Sequence, residues 1–127
     1  MLPPYPDDHD LLPVAMGSTD TLKIYIDGKS ISLAPDRVAR FALIVESPSG
    51  ARSVFYDGYR CETQQYKTYA IGTSQHTWSP AADPQWLTIP RSEINAFRDV
   101  IYRRYVCDGQ KSTRSPEDLR RLLQDQP

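Results

Sequence analysis

The chain has 127 residues, 39% of them hydrophobic and 24% charged, which is enough for one domain with its own core and no dependence on a metal. Its formal net charge of -1 gives no concentrated basic surface of the kind nucleic acid requires, so no nucleic-acid partner is expected. No run approaches the roughly 20 apolar residues that cross a bilayer, so no transmembrane segment is expected either.

Residues 1–20 read as an extended, Pro-rich acidic arm, followed by a single α+β domain over residues 21–127. Pro3, Pro4 and Pro6 resist helix and central strand, and Gly17-Ser18-Thr19-Asp20 reads as a turn. Leu11, Leu12, Val14 and Met16 are apolar enough to lay part of the arm on the domain. Asp7, Asp8, His9 and Asp10 put metal-capable ligands side by side. Ordering adjacent ligands on an arm is costly, however, and no calcium-loop spacing is present, so a solvated acidic arm and no metal are expected.

Leu22–Leu33 alternates around Asp27-Gly28, a favoured two-residue turn that predicts a hairpin with Ile24 opposite Ile31 and Leu22 opposite Leu33. Residues 37–46 follow as a longer strand, with Phe41, Leu43 and Val45 on one face and Ala42 and Ile44 on the other. Apolar on both sides, its middle belongs inside the sheet. Ser47-Pro48-Ser49-Gly50 turns the chain into residues 51–56, and a bulge at Asp57-Gly58 carries that strand on to Cys61. Thr63-Gln64-Gln65 then reverses the chain into residues 66–71. Residues 72–91, with Trp78, Trp86 and three prolines, read as a packed irregular connection in which TWS and QWL each offer a short strand.

From residue 93 the period changes. Ile94, Phe97, Ile101 and Tyr105 recur at helical spacing with Asp99 and Arg103 opposite, predicting an amphipathic helix over 93–106 capped at Ser92. Ser115-Pro116-Glu117-Asp118 opens a second short helix carrying Leu119, Leu122 and Leu123. The fold expected is therefore α+β: an antiparallel sheet of about five strands on one C-terminal amphipathic helix, with a short terminal helix and the extended arm at the edge.

Cys61 and Cys107 lack the four-ligand spacing of a zinc site and the CxxC of a redox pair. Three readings remain: a disulfide, a pair of buried reduced thiols, and, least favoured, reactive or metal-binding cysteines. The disulfide is the expectation carried forward, and it requires the helix to stop at about Val106, with Gly109 as a nearby breaker.

The run RFALIVESPSGARSVFYDGYRCETQQYKTYAIG, the arm PPYPDDHDLLP before it, and the later TWS, QW and YRRYVC resemble the CNP-one-like family over nearly the whole chain. The resemblance implies an exported protein of Gram-negative, chiefly beta-proteobacterial, envelopes, and carries no activity with it. The expected location is the periplasm, possible outer-membrane anchoring depending on a leader absent from this chain. An oxidising compartment is compatible with the disulfide.

No residue set predicts catalysis, and no cofactor is expected. His76 lies near Ser74, Thr77 and Ser79 but without a nucleophile elbow, and Ser47-Pro-Ser-Gly lacks the lysine of a phosphate loop. The candidate binding residues are Tyr56, Arg60, Tyr69, Trp78 and Trp86, whose aromatic area and polar edges suit recognition. Alternate members of that set serving as core is the bland alternative. Arg103-Arg104 and Arg120-Arg121 read as solvated helix faces that an acidic partner could meet. The function expected is that of an envelope accessory domain binding another envelope protein; alternatively, a small-ligand carrier or sensor with an aromatic pocket between sheet and helix.

Overall fold

A strand that is apolar on both faces must be covered on both, and β4 (Val38–Glu46) is: Ala39, Phe41, Ala42, Leu43 and Ile44 are all buried. The computed structural model describes residues 2–16, 21–90, 97–109 and 112–125. Around β4 they build one antiparallel sheet from β1 (Leu11–Val14), β2 (Lys23–Asp27), β3 (Ser32–Leu33), β5 (Arg52–Arg60), β6 (Gln65–Gly72), β7 (Trp78–Pro80) and β8 (Leu87–Thr88). The spatial order is β1-β2-β4-β5-β6-β7, with β3 on β4 and β8 on β6. The class is α+β as predicted. The sheet has eight strands rather than about five, because two short pieces after residue 72 and part of the N-terminal arm also find partners.

The arm residues Leu11–Val14 pair with Asp27–Ile24 of β2. Pro13 fits there because β1 is an edge strand, where one missing N–H leaves no neighbour unsatisfied. The Gly17–Asp20 turn lies outside the described residues.

The predicted hairpin at Asp27-Gly28 does not form. A two-residue turn of that sort needs positive φ at both central residues, and among the described residues only Arg37, Gln64, His76, Gly50 and Gly109 have positive φ. Instead Gly28 N–H donates to the Asp10 carbonyl at 2.9 Å, and the Asp27 carboxylate accepts from Lys29 N–H at 3.1 Å. The chain steps out of the sheet and resumes in the same direction, so that β2 and β3 lie end to end along β4, with Ile26 opposite Leu43 and Ser32 opposite Arg40. In the gap, Ala42 N–H finds Ser30 Oγ at 2.8 Å. Arg120 donates to the Gly28 and Ile31 carbonyls at 2.8 and 3.3 Å. Side chains thus supply the partners that the interrupted ladder lacks.

β4 and β5 pair without a break from Val38 opposite Arg60 to Glu46 opposite Arg52. Gly50, at φ 90°, closes their five-residue connection. The strand does run through Asp57-Gly58, but the irregularity lies on the other strand. β6 pairs Ala70 with Tyr56 and Thr68 with Asp57, leaving Tyr69 as the extra residue. The TWS segment yields β7 from Trp78 on, and β8 begins at the last residue of QWL, Leu87; both pair with β6.

The amphipathic helix is seen from Phe97; its Ser92 cap, Glu93 and Ile94 lie outside the described residues. One α-turn, α1 (Phe97–Val100), widens into a π-helical turn over Ile101–Val106. That turn closes with Cys107 N–H donating to the Tyr102 carbonyl five residues back, at 3.0 Å. Tyr102 and Cys107 thereby come to the same side, and both address Cys61: the Tyr102 hydroxyl donates to its carbonyl at 3.0 Å, and Cys107 bonds to its sulfur. The Cα atoms of the two cysteines are 5.8 Å apart, within the usual range for a bridge. The helix stops at Val106 as the cross-link requires, and Cys107 is extended. The second helix, α2 (Pro116–Gln124), starts as predicted: Ser115 Oγ accepts from Asp118 N–H at 3.2 Å and Pro116 sits in the first turn.

The main core lies between the sheet and these helices. Ile24, Ile26, Phe41, Leu43, Tyr59, Ile101, Val106, Leu119 and Leu123 are each nearly or wholly inaccessible there. Asp57 is buried with them, its carboxylate held by Arg98 Nε at 3.0 Å, Thr68 Oγ1 at 2.7 Å and the Tyr59 hydroxyl at 3.2 Å. The Arg98 guanidinium lies close to the Tyr66, Phe97 and Phe55 rings at 4.4, 4.9 and 5.0 Å. Burial pushes the Asp57 carboxyl up, against the pull of Arg98. Burial and the neighbouring Asp57 push the Tyr59 hydroxyl well above the usual phenol range.

Candidate functional site

Strand alternation decides which face each candidate residue occupies. On β5, Phe55, Asp57 and Tyr59 point at the helices, which sends Tyr56, Gly58 and Arg60 to the outer face. The extra residue in β6 turns Tyr69 outward beside Lys67. The five candidates therefore gather on the face opposite the helices, and the aromatic pocket predicted between sheet and helix is not where they lie.

They form two neighbouring groups. In the first, Tyr56 packs against Tyr69 and Trp78, with ring centroids 5.7 and 6.0 Å apart, over Ala42 and Ala70. This group is covered by the start of the chain. Trp78 Nε1 donates to the Pro3 carbonyl at 2.9 Å, the Tyr5 ring lies 5.1 Å from the Trp78 ring, and Leu2 packs on the cluster. Tyr5's hydroxyl occupies the place where a Cβ on Gly72 would stand. Burial pushes the Tyr56 hydroxyl up. These three aromatics thus serve largely as a second, smaller core beneath the arm.

The second group is open and cationic. The Arg60 guanidinium stacks 3.9 Å over the Trp86 ring, and Lys67 Nζ lies 5.1 Å from the same ring and 5.6 Å from Tyr69. Arg40 completes the row: its Nε donates to the Tyr69 hydroxyl at 3.2 Å while its terminal nitrogens grip Asp36 at 2.8 and 3.3 Å. Asp36 is held below the usual carboxylate range by that grip and by Val38 N–H. Arg40 is thereby matched. Arg60 has only Gln65 Oε1 at 3.4 Å, and among the described residues neither Arg60 nor Lys67 meets a carboxylate. Stacking on an aromatic face fixes a guanidinium without using its N–H edge, which stays available to an acceptor.

Gly58 makes the row possible. A Cβ there would stand 2.8 Å from Tyr69 Cε2, 2.9 Å from its hydroxyl and 3.1 Å from Val38 Cγ1. The Gly58→Ala variant is expected to push the Tyr69 ring aside and break its bond to Arg40, at a cost of about 1–3 kcal/mol, the usual scale of overpacking. Thermal unfolding checks the cost, and the Arg40 Nε–H resonance reports the broken bond. An unchanged melting temperature with an unmoved resonance would contradict this placement.

Sequence reasoning named Tyr56, Arg60, Tyr69, Trp78 and Trp86 but missed Lys67 and Arg40. Their signal was available in the alternation: Lys67 precedes Tyr69 by two, and Arg40 precedes Ala42 by two, each therefore on the outer face. Among the described residues no group of His, Cys, Asp and Glu is arranged to hold a metal, and no helix is long and apolar enough to cross a membrane.

The model of the CNP1-like family matches residues 1–124, and the chain belongs to that family. No curated protein and no solved structure matches it.

Proposed function

We propose that this member of the CNP1-like family is an accessory domain of the bacterial cell envelope, periplasmic or held at the outer membrane, that binds a carboxylate-bearing segment of another envelope protein on its outer sheet face. The observation that carries the reading is the Arg60–Trp86–Lys67 stack. Two cations are fixed against one ring, and among the described residues neither is ion-paired to a carboxylate. An acidic side chain or chain terminus would supply the missing acceptor, and the ring would supply apolar area beside it. The disulfide supports the compartment, since such bonds persist where thiols are not kept reduced.

The test is a photo-crosslinking side chain at Asp83, exposed in the loop before Trp86, in cells that export the protein. A discrete adduct is expected with wild-type surface residues and is lost when Arg60→Gln and Lys67→Gln are combined. An adduct unaffected by that pair of changes, or none at all, would count against the proposal. Both side chains are half-buried at the surface and the replacement keeps their polarity and much of their length, so thermal unfolding of the double variant is measured alongside to show that it folds.

A further inference from the structure

The dibasic pairs of the C-terminal helices stand apart from the outer face, and two of their members meet in a different place. Between the end of the π-helical turn and α2 lies a cleft of about 590 Å3 lined by Arg104, Tyr105, Arg114, Asp118, Arg121, Leu122 and Asp125. It is an open groove at the surface rather than a packing defect, with room for a small molecule.

Arg114 is the informative residue. Its backbone N–H donates to the Val106 carbonyl at 2.9 Å, and its neighbour Thr113 bridges to Cys107 and donates from Oγ1 to the Arg37 carbonyl at 3.0 Å. The segment is therefore fixed beside the cross-linked helix end, and the Arg114 side chain starts from a held backbone. Yet its Nε is shut off from solvent and has no hydrogen-bond partner among the described residues. Burying a guanidinium N–H without an acceptor is costly, and groups of this kind nearly always find one.

The rest of the lining says what the cleft would take. Arg104 is exposed and has no ion-pair partner among the described residues. Asp118 is engaged with Arg121 at 3.2 Å, which leaves Asp125 as the one lining carboxylate without an ion pair among the described residues. Three guanidinium groups thus face two carboxylates, one of them already taken. The Tyr105 hydroxyl accepts from Ala15 N–H at 3.1 Å, so its hydroxyl is occupied at the sheet edge, while Leu122 adds apolar wall. We infer that this cleft is a binding site for a small oxyanion, a phosphate or a carboxylate on a short apolar body, received by Arg104 and the terminal nitrogens of Arg114. It is independent of the outer-face site, since it shares no residue with it.

Arginine side-chain NMR tests this directly, because a buried Nε–H exchanges slowly enough to be seen. Inorganic phosphate and succinate are titrated separately into the intact chain to ~10 mM, beyond the millimolar limit of weak specific binding. A saturable shift of the Arg114 Nε–H resonance with either anion is expected, and which anion acts tells the two chemistries apart. Arg104→Gln, an exposed change that leaves folding intact, is expected to weaken the response roughly ten- to a hundredfold, the scale of one charge-assisted hydrogen bond. Arg114→Lys keeps the charge and removes the guanidinium fork, and is expected to abolish it; if that variant does not fold, Arg104→Gln alone decides. No shift with either anion, or equal affinity in Arg104→Gln, overturns the proposal.

Discussion

Replacing Cys61 and Cys107 together by alanine is expected to lower the unfolding free energy by up to about 4 kcal/mol, the chain-entropy value for a loop of this length, the two cysteines being 46 positions apart. Against the 5–15 kcal/mol typical of a small domain, this is a large share. Alanine is the right replacement because both cysteines are buried, where serine would strand a hydroxyl. The measurement is urea unfolding of the oxidised protein and the double variant. The cross-link has a built-in control, since the Tyr102 hydroxyl ties the same helix end to the Cys61 carbonyl without covalent bonding. Tyr102→Phe should cost only about 1 kcal/mol. If the double alanine variant loses no more than Tyr102→Phe does, the bond is not restricting the unfolded chain, and its contribution to stability is merely local.

Where a structural feature depended on residues close in sequence, it could be read directly. The Ser115 cap, the Pro116 start, the Ser47–Gly50 turn and the two-sided burial of β4 each rest on a few neighbouring side chains. The stop at Val106 was legible for a different reason: a cross-link at Cys107 leaves the helix little choice. What escaped depended on partners far along the chain. Asp27-Gly28 is a sound hairpin signal, but Gly28 N–H is taken by Asp10, and Arg120, more than ninety residues later, holds the carbonyls that the broken strand leaves over. A π-helical turn leaves the same apolar stripe as an α-helix over so few residues, so periodicity could not show it. The candidate site was half legible. Its aromatics stand out by type, but Tyr69 and Ala70 share the outer face only through the one-residue slip in β6, which strict alternation cannot reveal. The pocket was expected on the helix side because the sequence does not say which face of β5 the helices cover; the buried Asp57–Arg98 pair on that face sends Tyr56 and Arg60 to the other.

The buried Asp57–Arg98 pair was not anticipated at all, and it should be the second large determinant of stability. Asp57 occupies an inward position between Phe55 and Tyr59, where alternation alone would place an apolar residue. It persists there because Arg98, Thr68 and Tyr59 together give its oxygens partners. Removing one member of such a pair leaves an uncompensated group in the core, so Arg98→Met and Asp57→Ala are each expected to cost about 3–5 kcal/mol. Asp57→Asn should cost less, because its amide oxygen can still accept from Arg98. Changing both residues to apolar ones should cost less than the sum of the single changes, because neither charge is left alone.

The pH dependence follows from burial raising the folded-state pKa of Asp57 above its unfolded value. A carboxyl raised in the folded state contributes most to stability below its unfolded value of about 3.9, and that contribution is lost as pH rises through the folded value. Arg98 opposes the rise, so removing it moves the folded value still higher. The deficit of Arg98→Met relative to the wild type should therefore widen as pH rises from about 4, whereas Asp57→Asn should lack this component entirely. Urea midpoints measured across that range decide the matter: a deficit in Arg98→Met that stays constant with pH would mean that Arg98 acts through packing on Phe55, Tyr66 and Phe97 rather than through its charge.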